Sequence, residues 1–177
     1  MPLVKTQAEG INLADTFAFS GTVSGANSPY WVGQKASEQT LSRNTKTAIT
    51  GMTTNEKDSH SAFDGTTFTV PSGGAGIYFI FGVIHFDWSA VGNDGESQIV
   101  YLTHTPSGGS ATDIAYSLLN VGSNSNIDTF VRATVTFQLG VGDTVTLNAY
   151  AGDYNGGGGG KAKETSTNFG GFRITGV

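Results

Sequence analysis

The chain has no cysteine, so disulfides and thiolate metal sites are excluded outright. A small secreted animal domain would more often carry disulfides. Charge is also scarce. Charged residues make up 13% of the sequence, against a usual share of about 25%. Nine Lys and Arg stand against 14 Asp and Glu, a net charge of −5, and no basic run exists. That argues against a nucleic-acid partner, which needs clustered cations to meet phosphates. No stretch reaches the roughly 18 apolar residues that span a bilayer, so no membrane partner is expected. Met1-Pro2-Leu3-Val4-Lys5 leads into polar residues and does not read as a signal peptide. N-glycosylation triplets are absent. So is helical apolar spacing at i, i+3, i+4 and i+7.

What is there reads as β structure. Glycine supplies 26 of the 177 residues, and Ser, Thr and Asn replace the missing charge. Such a polar, mostly neutral surface suits a protein packed in a large assembly. Short β-branched and aromatic runs alternate with Gly, Asn, Asp and Ser clusters. Gly76 to Phe86 is apolar on both parities, so both faces of this strand should be covered. A two-layer sandwich covers only one face, and a neighbouring subunit would supply the other cover. Thr67 to Val70 should turn Phe68 and Val70 inward. Ile99 to His104 follows a turn at Gly92-Asn93-Asp94-Gly95. Phe130 to Phe137 and Thr144 to Tyr150 flank a turn at Gly140-Val141-Gly142-Asp143. Gly170 to Thr175 closes the series. This spacing predicts a sandwich or jelly roll.

Two regions stand apart. Residues 1–29 carry Ile11, Leu13, Phe17, Phe19 and Val23 among small polar residues and end in Gly25-Ala26-Asn27-Ser28-Pro29. This pattern is too thin for a core of its own and reads as an arm preceding a head domain at 30–177. Gly156 to Gly160 are five consecutive glycines, with much conformational entropy to lose on ordering. They do not form a phosphate loop, because Lys161 lacks the following Ser or Thr and helix.

Three separated motifs resemble the globular head of complement component one, subunit q, a family allied in structure to tumour necrosis factor. Phe68-Thr69-Val70-Pro71 followed by Gly76-Ile77-Tyr78-Phe79 is similar to its "F-x-x-P, then G-x-Y-x-F" strand pair. Leu139 to Leu147 resembles its "L-x-x-G-D-x-V-x-L" hairpin. Phe169-Gly170-Gly171-Phe172 is similar to its closing "F-S-G-F" strand. The resemblance implies an all-β, two-sheet, ten-stranded jelly roll that forms a homotrimer. Its core and trimer contact would be built from Phe68, Tyr78, Phe79, Phe81, Phe86, Leu147, Phe169 and Phe172. Phe169 and Phe172 are three apart and should point to opposite sides of their strand.

Animal members follow collagen or a secretory signal, and this sequence carries neither. Residues 11–26 instead resemble segments of tailed-bacteriophage structural proteins. That implies a virion protein, expected on the outer particle surface as a trimeric capsid decoration or cement protein. Its arm would contact the major capsid protein or another virion protein. The alternative is a tail-fibre or appendage tip that binds a host receptor or surface glycan.

Catalytic patterns are weak. The three histidines are His60, His85 and His104. A Ser–His–Asp set can be drawn with Asp87 or Asp143, but any Ser-rich chain permits that, and no G-x-S-x-G elbow occurs. The favoured reading of His85 is a hydrogen-bonded interior or interface histidine. Glu56, Asp58, Asp94, Glu96 and Asp153 read as solvated loop acids, since no calcium-loop motif is present. Trp31 and Trp88 read as core rather than as glycan platforms. No cofactor, metal or enzymatic activity is expected.

Overall fold

The computed structural model describes residues 28–54, 57–87, 97–121, 128–152 and 160–176. The strands are β1 (Tyr30–Lys35), β2 (Gln39–Thr40), β3 (Lys46–Ala48), β4 (Met52–Thr53), β5 (Thr67–Thr69), β6 (Gly76–Asp87), β7 (Ser97–Thr105), β8 (Thr112–Asn120), β9 (Thr129–Leu139), β10 (Thr144–Gly152), β11 (Lys161–Ala162) and β12 (Asn168–Gly176). These are twelve strands among the described residues, against the ten that the resemblance implies. Three of them, β2, β4 and β11, are two-residue segments of a single sheet. No helix occurs among the described residues.

Two antiparallel sheets face each other. The larger runs β2-β11-β6-β12-β1-β4, with β9 on the other side of β6. The smaller runs β3-β10-β7-β8, with β5 also on β10. Side chains alternate across a strand, and β6 makes the rule visible. Tyr78, Ile80, Ile84 and Phe86 are buried, whereas Ile77, Phe79, Phe81, Val83 and His85 are only half-buried. The first set meets Val100, Leu102, Val145, Leu147 and Ala149 of the smaller sheet. Gly82 falls in this inward row because a Cβ there would come within 2.3 Å of Leu147 Cδ1.

Aromatic packing fixes one end of the core. Trp31 stacks on Phe68 with centroids 3.7 Å apart and meets Phe169 edge-on at 5.5 Å. The buried Tyr78 hydroxyl donates to Gly74 O at 2.5 Å, which satisfies a polar atom that would otherwise be costly to bury. Burial then pushes Tyr78 up to about 12, with Arg173 opposing. The turn before β6 closes through Gly74 N–H donating to Pro71 O. The β9–β10 turn needs Gly142, whose φ of +82° lies in the left-handed region that glycine adopts without steric cost.

Candidate functional site

The register of the larger sheet assembles its outer face row by row. Tyr30, Phe172, Phe79 and Thr136 are successive partners across β1, β12, β6 and β9. Val32, Gly170, Phe81 and Thr134 form the next row. Residues so aligned in an antiparallel sheet share a face. Phe79 lies 5.6 Å from Phe172 and 6.4 Å from Phe81 between ring centroids. Gly170 leaves room for the Phe81 ring, since a Cβ there would meet Phe81 Cζ at 2.7 Å. The result is an aromatic stripe open to water. Tyr30 is 46% exposed, Phe172 48%, Ile174 55% and Phe130 56%. Beside it, Arg132, Thr134 and Thr136 of β9 are exposed.

His85 sits at the far end of this face. Its Nδ1 is 2.7 Å from Ser166 Oγ, and its ring stacks on Phe130 at 4.3 Å. Its Nε2 lies 3.3 Å from Asp128 Oδ2 but makes no aligned hydrogen bond.

No protein-family model matches the sequence, and no curated protein does. Solved structures do match. Eiger TNF from S. frugiperda superposes with a TM-score of 0.61 at 11% identity, over 85% of this chain and 93% of its own. The globular domain of zebrafish complement 1qA protein gives 0.55 at 19%, over 84% and 98%. Murine APRIL gives 0.60 at 10%, over 83% and 99%. The fold is the jelly roll of the TNF and complement 1q globular domains. The identities are low, so the likeness is one of fold.

Within this TNF-like jelly roll the histidines have structural partners. Ser166 Oγ lies 3.1 Å from Glu164 O as well as 2.7 Å from His85 Nδ1, which ties the His85 ring to the segment before β12. His104 Nε2 meets Asp143 Oδ2 at 2.9 Å. Asp143 also accepts from Ser107 N and Gly140 N, both at 2.9 Å, which ties the β9–β10 turn to the end of β7. Burial raises the Asp143 carboxyl, but the Gly140, Ser107 and His104 bonds outweigh it and hold the group below its ordinary range. Asp87 pairs with Lys163 at 2.7 Å, and Glu38 with Lys161 at 2.5 Å. No cluster of three metal-ligating side chains occurs among the described residues.

The residues singled out in the sequence divide cleanly in the jelly roll. Phe68, Tyr78, Phe86, Leu147 and Phe169 are buried between the sheets, and Trp31 is buried with them. Phe79 and Phe81 lie half-buried on the outer face, and Phe172 is exposed there. Asp58 accepts from the His60 and Phe63 backbone N–H groups. Ile11, Leu13, Phe17, Phe19 and Val23 lie outside the described residues. So do Glu56, Trp88, Asp94, Glu96, Asp153 and Gly156 to Gly159. Sequence reasoning missed Tyr30, Phe130 and Ile174 on the outer face. The alternation of Phe172 and Ile174 around Arg173 was the available signal for one of them. It also missed the exposed Tyr116, Leu118 and Leu119 of β8.

Proposed function

We propose that this chain is a homotrimeric structural protein of a virus particle. In this reading it decorates or cements the outer capsid surface and has no catalytic role. The observation that carries the trimer is the open stripe of Tyr30, Phe172, Phe79 and Phe81. A contiguous apolar patch of this kind on a soluble protein marks an interaction surface, and further copies of the chain are the occupant proposed. The TNF-like fold supports threefold closure. The low charge and neutral polar surface support a role inside a large assembly. The resemblance of residues 11–26 to tailed-bacteriophage structural segments supports a virion, with residues 1–29 as the attachment arm for the major capsid protein or another virion protein.

Two measurements test this. Sedimentation equilibrium should give three times 18.3 kDa, and a monodisperse monomer at micromolar concentration would sink the trimer. Deleting residues 1–25 should leave the trimer intact and abolish attachment to particles. Full occupancy by the truncated protein would show that the arm is not the anchor. A copy number far below that of the coat protein would favour an appendage tip instead.

A further inference from the structure

The outer face of the smaller sheet carries a second, different surface. Asn148, Tyr101 and Tyr116 are row partners across β10, β7 and β8. The rings of Tyr101 and Tyr116 lie 6.2 Å apart at 36°, and Tyr116 is 69% exposed. Lys46 Nζ sits 4.7 Å from the centre of the Tyr101 ring and pairs with Asp113. Asn148 Nδ2 donates to Thr103 Oγ1 at 2.9 Å, and Thr103 Oγ1 donates to Asp113 Oδ1 at 2.7 Å. One side of the surface is thus an open aromatic ring. The other is a hydrogen-bonded chain of amide, hydroxyl, carboxylate and ammonium. Burial, and then Asp113, Tyr150 and Tyr116, raise Tyr101, so its phenol stays neutral.

We propose that this surface binds a neutral hexopyranose saccharide. A pyranose ring has an apolar C–H face and a rim of hydroxyls. The Tyr116 ring offers the flat, amphipathic partner for the first. Asp113, with one oxygen outside the Thr103 bond, and Lys46 offer acceptor and donor for the second. Few polar groups beside an aromatic surface are the usual makeup of such a site. The cation at the site is already paired with Asp113, so an anionic sugar or phosphate finds no free positive charge and meets a carboxylate. On the assembly proposed above, this face points away from the subunit contact, and each trimer presents three copies. Three weak sites on one rigid body give avidity when the ligand is a repeating surface polysaccharide.

The test uses the full-length protein on an array of neutral and acidic glycans, with cellohexaose titrated in solution by saturation-transfer NMR. The wild type should bind neutral saccharides in the millimolar range or tighter. Tyr116→Ala and Asp113→Asn should each weaken binding by about tenfold or more. Both should sediment as the wild type does. Failure of the wild type to bind any neutral saccharide at millimolar concentration would overturn the site, as would binding only to acidic glycans. Unchanged affinity in Tyr116→Ala would do the same. A change of oligomeric state in Tyr116→Ala would assign the surface to a subunit contact and also overturn the proposal. Loss of trimer in the wild type bears on the assembly reading alone, because saccharide binding is read separately.

Discussion

Asp143 gathers one ring nitrogen and two backbone N–H groups around a single carboxylate. Its native pKa is held below the ordinary 3.8. The sign follows from linkage. A depressed carboxylate contributes stability that is present above its unfolded pKa and is lost as pH falls through the native value. Melting temperature should therefore drop as pH goes below about 4. Asp143→Asn should cost about 1.5–3 kcal/mol at neutral pH, the range for hydrogen bonds to a charged group. The variant should also show a shallower acid-side decline. Thermal melts across that pH range check both, and an unaltered acid limb would remove Asp143 from the explanation. Asp143 was legible in the sequence as a turn residue beside Gly142. Its tie to His104 was not, because the two are 39 residues apart and only the strand pairing of β7 with β10 joins them.

Strands differ in how plainly the sequence announces them. β6, β9, β10 and β12 are bounded by turns and carry apolar residues at regular spacing, and all four are legible. β1 and β8 are not. β1 contains Gly33, which reads as a breaker but is required because a Cβ would lie 2.5 Å from Phe63 Cε1. β8 is the edge of the smaller sheet, exposed along most of its length, and its pairing slips between Leu102 and Thr103. Only Ile114 and Ala115 pack against the core, both half-buried, so its residues follow no clear burial rhythm. Element context also reverses a common rule. Glycine inside a strand usually costs roughly 0.5–1 kcal/mol relative to alanine, so Gly171→Ala would ordinarily stabilise. Here the added methyl would meet Phe79 O at 2.7 Å and Trp31 Cη2 at 2.6 Å. Backbone on one side and a stacked indole on the other cannot both yield. Overpacking of about 1–3 kcal/mol should win, lowering the urea midpoint. A midpoint equal to or above wild type would mean that the sheet opens more easily than its packing implies.

At the scale of the whole molecule, Phe79 is where the proposed assembly can be measured. Emptying an enclosed aromatic site costs about 3–5 kcal/mol, but Phe79 is only half-buried in the protomer. Phe79→Ala should reach that cost only where other subunits cover the outer face. Wild-type melting temperature should then rise with protein concentration, and the variant should flatten that dependence. Concentration-independent melting of both proteins would show that the face contributes nothing to assembly. The fold class was legible because alternation, turns and three motifs all agree on it. The occupant proposed for the outer face was not, because a single sequence marks an intersubunit contact only by a strand that is apolar on both sides. The order of β12 has a consequence of its own. It is the last of the described strands in sequence, yet it lies between β1 and β6 in the middle of the larger sheet. During synthesis, β1 and β6 leave the ribosome long before the strand that joins them. The aromatic stripe, which needs Phe172 beside Phe79, cannot form until residues 168–176 emerge. Chains cut short by stalled translation would thus lack the stripe and leave the facing edges of β1 and β6 unpaired, a state open to aggregation rather than to ordered assembly.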